Sequence, residues 1–234
     1  MDGVEDKADL CPKTPMTDLV DTTGCTIKDL ISLHHFSLEL GLTYAKSDTY
    51  NTTSPSLELD YNYKNTTIQF SSSYFDLQSD NLNEQGMDDS YLNLYHDWSL
   101  SNNFSLILGS GLILPTYNSS DNKIDYMTSL YGKYYFNNWS FSMGSGYIFT
   151  NDTNSKNRAF YSLNSAYQWS DKLYTSAGYS LSENIYEEEE NFKSLFLYTS
   201  YNINQNWFTT LSLSKGLNSV SLDKNLGATL GYTW

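Results

Sequence analysis

The sequence is poor in positive charge. Thirteen lysines and arginines stand against 27 aspartates and glutamates, which gives a formal net charge of −14. A nucleic-acid-binding protein needs a basic face for the phosphate backbone, so this balance argues against any nucleic-acid partner. No apolar run approaches the roughly 18 residues of a membrane-spanning helix. The two cysteines, Cys11 and Cys25, both lie near the N-terminus, so a bond between them could close only a local loop.

Aromatic residues, in contrast, are abundant. They make up 16% of the 234 residues, while charged residues reach only 17%. A disordered chain would be less aromatic and more charged. Hydrophobic residues account for 39%, which is a small supply for the core of a soluble domain of this size. The apolar residues must therefore be arranged economically.

Composition changes near residue 30. Residues 1–30 hold both cysteines and a dense set of aspartates, whereas residues 33–234 alternate apolar or aromatic residues with Ser, Thr, Gly and Asn. Trp139, Phe141 and Met143, for example, alternate with Ser140, Ser142 and Gly144. A period of two predicts β-strands. We predict a short irregular module over 1–30 and an all-β domain of about twelve strands over 33–234, each strand about 9–13 residues long.

The connections between these strands alternate in length. Short ones are predicted at 64–65, 101–103, 137–138, 170–171 and 204–206, and long polar ones at 46–55, 77–88, 115–123, 151–157, 183–191 and 217–225. Short turns at one end and long loops at the other are typical of closed up-and-down antiparallel barrels of the outer membrane. A soluble sandwich has no reason to follow this rule.

Alternation alone leaves two barrels possible, a soluble lipocalin-type barrel with apolar side chains inside and a membrane barrel with them outside. The tryptophans favour the membrane barrel. All five lie beside a short turn or at the C-terminus, namely Trp98, Trp139, Trp169, Trp207 and Trp234. An indole has an apolar body and one N–H donor, so a ring of tryptophans at one height suits a lipid–water interface.

The barrel region resembles a bacterial outer-membrane β-barrel of the porin type. Its ending, Gly231-Tyr232-Thr233-Trp234, is similar to the C-terminal signal read by the barrel-assembly machinery. The resemblance implies a location in the bacterial outer membrane, contact with its lipid and lipopolysaccharide, and the barrel-assembly machinery as a partner. An even number of strands places the first and the last residue of the barrel on the same side of the membrane, which would be the periplasm.

The N-terminal module resembles a thrombospondin type 3 repeat of the kind found in OmpA-type proteins. The residues that carry this resemblance are Asp2, Gly3, Val4, Asp6, Asp9, Cys11, Pro12, Thr14, Pro15, Val20, Asp21, Gly24 and Cys25. Aspartates three to four residues apart on a Gly-containing turn can converge on calcium, so the candidate ligands are Asp2, Asp6, Asp9 and a carbonyl near Val4. The alternative is an acidic, solvated tail. A disulfide between Cys11 and Cys25 would contribute roughly 3 kcal/mol in an oxidising periplasm.

Alternation also assigns charged residues to the lumen. The acids are Glu39, Glu58, Asp60, Asp97 and Asp125, and the bases are Lys133, Arg158 and Lys172. Because the acids lie on early strands and the bases on later ones, they predict a transverse field across a pore. The alternative is a set of interior salt bridges in a packed barrel. The acidic excess predicts that small cations pass more readily than anions.

Three functions remain in consideration from the sequence. The first is a passive, weakly cation-preferring channel for small solutes or ions. The second is a non-conducting anchor or assembly protein whose N-terminal module binds calcium and a partner, and the third is an outer-membrane lipid hydrolase. The histidines available to a hydrolase are His34, His35 and His96, and no Ser–His–acid set follows from their spacing, so we predict no catalytic residues and no enzyme.

Overall fold

The computed structural model describes residues 34–80, 83–119, 121–153, 155–186 and 188–234. Thirteen strands lie in these ranges. They are β1 (His34–Lys46), β2 (Tyr50–Tyr63), β3 (Thr66–Ser79), β4 (Asn83–Met87), β5 (Ser90–Ser101), β6 (Phe104–Leu114), β7 (Asp125–Phe136), β8 (Trp139–Phe149), β9 (Arg158–Gln168), β10 (Leu173–Ser182), β11 (Phe192–Asn202), β12 (Trp207–Gly216) and β13 (Lys224–Thr233). No helix within the described ranges has the length and apolar character needed to cross a membrane.

Twelve of the strands form a closed antiparallel barrel, as predicted. Each pairs with its neighbour along the chain, and β1 pairs with β13 from Ser37 opposite Thr233 to Lys46 opposite Lys224. The short β4 is the exception, because it pairs only with the Tyr74–Gln78 part of β3. The β5 strand pairs with the other half of β3, from Thr66 to Ser71. Closure leaves no unpaired barrel edge, which hydrocarbon would not tolerate.

The connections separate the two ends of the barrel. The short-turn rim carries connections 64–65, 102–103, 137–138, 169–172 and 203–206, and the long-loop rim carries the others. Lys64 and Asn137 open two of the short turns with φ of 53° and 52°. Two-residue hairpins of the type that matches strand twist require this left-handed conformation.

The prediction of a long loop at 46–55 was wrong. Residues 47–49 alone connect β1 to β2, and β2 begins at Tyr50. Asn51 and Thr53 are exposed polar residues within β2, so this part of the strand has no apolar alternation to reveal it. With 14 residues each, β2 and β3 measure about 46 Å, which exceeds an apolar band of about 25 Å even when the strands are tilted. Their ends therefore lie beyond the lipid and need no apolar face.

The side-chain arrangement is that of a membrane barrel. Large apolar residues are outside and exposed, with Met143 at 68%, Leu163 at 61% and Leu40 at 56%. The buried hydrophobic residues of the described part are only Ala45, Ile113, Ile148, Ala159 and Ala166. A soluble barrel would hide its leucines, so this distribution excludes the lipocalin-type alternative.

Aromatic side chains form two continuous runs on the short-turn rim. One run crosses β2, β1, β13 and β12, with ring centroids 4.9–5.9 Å apart, through Tyr61, Phe36, Trp234, Tyr232 and Trp207. The other joins Phe141, Trp139, Tyr167 and Trp169. The backbone of Trp234 also exchanges two hydrogen bonds with that of Phe36, at 3.0 and 3.1 Å. The rim aromatics therefore lie across the seam where the barrel closes.

Candidate channel lumen

Three carboxylates meet on the inner wall of β1 and β2. One oxygen from each of Glu39, Glu58 and Asp60 lies within 4.8 Å of the others, and we call this group the acidic triad. Alternation brings them together, because Glu58 and Asp60 are two residues apart on one strand face and Glu39 is on the adjacent strand. Their hydrogen-bond donors are neutral side chains and not cations, and the donor to Glu58 is Gln69. Thr229 donates to Glu39 at 3.1 Å, and Ser37 donates to Asp60 Oδ2 at 3.1 Å.

The charge of the triad is not compensated by neighbouring bases. The one salt bridge within the described ranges joins Lys123 to Asp121 in the loops, at 3.2 Å. The other carboxylate oxygen of Asp60, Oδ1, is buried and has no hydrogen-bond partner there. The packed-barrel alternative required interior salt bridges, and none is found among the described lumen residues. The triad is therefore a cluster of acidic groups without a basic partner among the described residues.

The two remaining acids assigned to the lumen lie apart from the triad. Asp97 is half-buried near the short-turn rim, and its Oδ1 is buried without a hydrogen-bond partner in the described part of the chain. Asp125 begins β7 at the long-loop rim, where it is 6% exposed. The backbone N–H of Asn151 donates to its carboxylate at 2.7 Å. Asp125 thus holds the β8–β9 loop against the start of β7.

The bases are dispersed. Lys133 is half-buried on β7, with Nζ 5.1 Å from the ring centroid of Tyr135, and Arg158 is half-buried at the start of β9. Lys172 lies outside the strands, in the exposed connection 169–172, so its position corrects the expectation that it stands on the lumen wall. The predicted turn ended at residue 171, whereas β10 begins only at Leu173, so Lys172 belongs to the turn. The structure thus brings three acids together and no base to them.

Sequence reasoning missed a set of aromatic rings on the inner wall, each lying across a glycine of the adjacent strand. A Cβ on Gly109 would lie 2.9 Å from Cδ1 of Tyr95, and a Cβ on Gly144 would overlap the ring of Tyr131. The same arrangement joins Phe160 to Gly146, Phe196 to Gly178 and Phe208 to Gly231. The signal was an inward aromatic opposite a glycine in the neighbouring strand, which alternation within one strand does not reveal.

Tyrosines also flank the acidic triad. The Tyr95 hydroxyl lies within the electrostatic field of Glu58, Asp60 and the Tyr131 hydroxyl. On the other side, Tyr198 lies within the field of Glu39 and packs edge to face with Tyr174 at 6.4 Å between ring centroids. Aromatic rings on β5 and β11 thus lie on the two sides of β1 and β2, two and three strands away along the wall.

The long-loop rim is tied together by polar contacts. Asp121 accepts hydrogen bonds from the N–H of Thr153 at 2.7 Å and from its hydroxyl at 2.8 Å, and these bonds, with the Lys123 ammonium, lower the pKa of Asp121. Tyr117 donates its hydroxyl to Glu84 at 2.9 Å, and this bond raises the pKa of Tyr117. The β6–β7 loop is thereby held to β4 on one side and to the β8–β9 loop on the other.

The histidines form no catalytic set among the described residues. His96 is on the outer face, where its Nδ1 lies 2.8 Å from Thr66 Oγ1 and its ring lies 4.5 Å from that of Trp98. His34 and His35 are exposed at the start of β1. The five predicted interface tryptophans are all exposed at or near the short-turn rim, on the aromatic runs or, for Trp98, beside His96.

No protein-family model matches the chain, and no curated protein sequence matches it. Solved structures do match. The COG4313 outer membrane channel from Pseudomonas putida F1 is 13% identical with a TM-score of 0.64, over 86% of this chain and 95% of that chain. The NanC porin (10% identical, TM-score 0.61) and the KdgM porin (12%, 0.57) each match 84% of this chain and 98% of their own.

At these identities the likeness is one of fold. The chain has the fold of the outer-membrane channel barrels, and its similar structures are channels and porins by name. The thrombospondin-like segment, its calcium ligands Asp2, Val4, Asp6 and Asp9, and the Cys11–Cys25 disulfide lie outside the described residues. They remain predictions from the sequence.

Proposed function

We propose that the protein is an outer-membrane channel for the passive diffusion of small solutes, with a weak preference for cations. The observation that carries the proposal is the acidic triad on the inner wall, where three carboxylates lie together without a basic partner in the described residues. The barrel fold supports it, since the similar structures are named as channels or porins.

The expected selectivity follows from electrostatics. A narrow lumen with low-dielectric walls focuses the field of its charges, so clustered carboxylates raise the local concentration of cations and lower that of anions. Side chains occupy much of the interior of a barrel of about twelve strands, which keeps a solute close to the wall. The preference is weak because Lys133 and Arg158 contribute positive charge elsewhere along the passage.

The proposed setting is the bacterial outer membrane, with both chain termini in the periplasm and the long loops toward lipopolysaccharide. The barrel-assembly machinery would recognise the ending at Trp234. Cysteine labelling with an impermeant reagent tests the orientation in intact cells. Asn218→Cys in a long loop should react from outside, and Asn138→Cys in a short turn should react only after the outer membrane is opened.

Planar-bilayer recording tests the function. Wild-type protein should give single-channel steps and a zero-current potential of cation-selective sign in a salt gradient. Glu58→Gln with Asp60→Asn should move that potential toward zero, because two of the three clustered charges are removed. Asp171→Asn, an equal charge change in an exposed short turn, should leave it unchanged.

Two outcomes would contradict the proposal in different ways. An unchanged zero-current potential in the double variant would refute the cation preference. The absence of conductance steps from wild-type protein at every voltage would refute the channel and leave the non-conducting anchor.

The proposal includes calcium at the N-terminal segment, supported by its sequence pattern alone. Calorimetric titration of the whole protein with calcium should show binding heat that Asp6→Ala abolishes and that Asp18→Ala, outside the candidate ligands, retains. Equal heat from both variants would indicate an acidic tail without a specific site.

A further inference from the structure

The aromatic rings on the inner wall are held in an unusual position by the glycines beneath them. Tyr95 lies across Gly109 and Tyr131 lies across Gly144, in the space that a Cβ would otherwise occupy. A ring in that position lies along the wall, with one side against the neighbouring strand and the other toward the passage. The glycines thus do more than leave free space, because they place aromatic surface where a solute passes.

The rings of Tyr95 and Tyr131 lie at a similar height along the barrel axis to the acidic triad. Glu39, Glu58, Tyr95 and Tyr131 each lie about five or six residues from the short-turn end of their strands, and every strand residue adds a similar rise. Tyr95 on β5 is two barrel strands away from Glu58 and Asp60 on β2, with β3 between them. A solute held at the triad therefore also faces aromatic surface.

We propose that the lumen favours organic cations, in which an ammonium or guanidinium group is joined to apolar surface, over inorganic cations of the same charge. This inference rests on the proposed channel function and names its solute class. Carboxylates alone attract every cation of a given charge. The face of an aromatic ring adds attraction for a cation and apolar contact for its carbon atoms. A strongly hydrated metal ion gains little from that contact.

The test measures how tetramethylammonium and arginine reduce the potassium current of single channels, and their permeability relative to potassium. Both should reduce the current of the wild-type channel at lower concentration than sodium does. Tyr95→Leu or Tyr131→Leu should raise the half-maximal concentration about two- to fivefold, because one ring face is lost. Tyr95→Phe keeps the ring and should behave as wild type toward tetramethylammonium.

Phe160→Leu is the matched control. This ring also lies across a glycine, Gly146, but on β9, six barrel strands away from β2 and nearer the long-loop rim. Loss of the Phe160 ring should leave the half-maximal concentration of the organic cations unchanged. A general effect of removing any ring from the wall would instead change it equally in the Phe160 variant and the tyrosine variants. Unshifted electrophoretic migration of the unheated protein confirms that each variant forms a barrel.

The inference is overturned if potassium steps are normal but the organic cations act no better than sodium. It is also overturned if Tyr95→Leu and Tyr131→Leu change nothing. Either result leaves the channel proposal intact, because conductance itself is observed. If wild-type protein gives no steps, the channel proposal fails first, and the inference fails with it.

Discussion

At the residue scale, glycine and aromatic ring form a fitted pair on the inner wall. Gly144 and Tyr131 face each other on β8 and β7, and the ring occupies the position of the missing side chain. Aromatic cover of a strand glycine contributes packing and helps to fix the register between the two strands. The pair therefore links one residue choice to both the stability of the wall and the width of the passage.

This pairing predicts the effect of a single methyl group. Gly144→Ala should lower the free energy of unfolding by about 1–3 kcal/mol, because the added carbon overlaps the Tyr131 ring. The displaced ring should also reduce single-channel conductance. Denaturant unfolding in lipid vesicles measures the first effect and bilayer recording the second.

Gly132→Ala is the control for that variant. Gly132 is on the neighbouring strand β7, but a Cβ there would lie 3.4 Å from the nearest atom of Phe104, which is ordinary contact. It should change stability by much less. Equal losses in both variants would show that glycine matters for the strand itself and not for the ring that covers it.

At the element scale, the closing seam between β1 and β13 ends in aromatic side chains. Trp234 stacks on Phe36 with centroids 5.8 Å apart, and its backbone completes the ladder. Contacts at this seam therefore help to hold the first and last barrel strands together in the closed barrel.

Trp234→Ala should therefore destabilise the barrel by about 1–2 kcal/mol, through loss of its ring contacts with Phe36 and Tyr232. Trp234→Phe keeps an aromatic ring at the seam and should recover most of that loss. Unfolding in vesicles, started from folded protein, gives the measurement. A full loss in the phenylalanine variant would assign the effect to the indole N–H at the interface.

The sequence predicted the elements that lie in lipid and missed those outside it. Strands such as β6 and β8 carry a recognisable alternation because their outer face is mostly apolar. The start of β2 at Tyr50 and the short β4 lie outside the lipid, where neither strand face needs to be apolar. The polar sequence Asn51-Thr52-Thr53 was therefore predicted as a loop. The lumen was predicted in part, since alternation within a strand places Glu58 inside but cannot show that Tyr95 covers Gly109 on the adjacent strand.

At the scale of the whole molecule, the protein is turned inside out relative to a soluble barrel. Its apolar side chains meet lipid, and its interior is lined by small residues, aromatic rings and a few clustered acidic groups. The stabilising contacts are therefore spread over the hydrogen-bonded wall and the rim and are not concentrated in a core.

This arrangement predicts that selectivity depends on ionic strength. The screening length is about 10 Å at 0.1 M salt and about 3 Å at 1 M, so the field of the acidic triad should reach across the lumen only in dilute salt. We expect cation preference to fall markedly between these concentrations while conductance rises. Zero-current potentials in paired gradients of equal ratio measure it. A preference that persists at 1 M would indicate direct binding of the ion at the carboxylates.

The scarcity of buried hydrophobic residues has an evolutionary consequence. A wall position contacts lipid or water on its exposed side and need not match a tightly fitted interior partner, so many exchanges within the same polarity should be neutral. Barrels of the same fold can then differ at most of their residues, as a TM-score of 0.64 at 13% identity illustrates. Deep mutational scanning should accordingly find the strictest requirements at ring-covered glycines and the seam, not along the leucine rows.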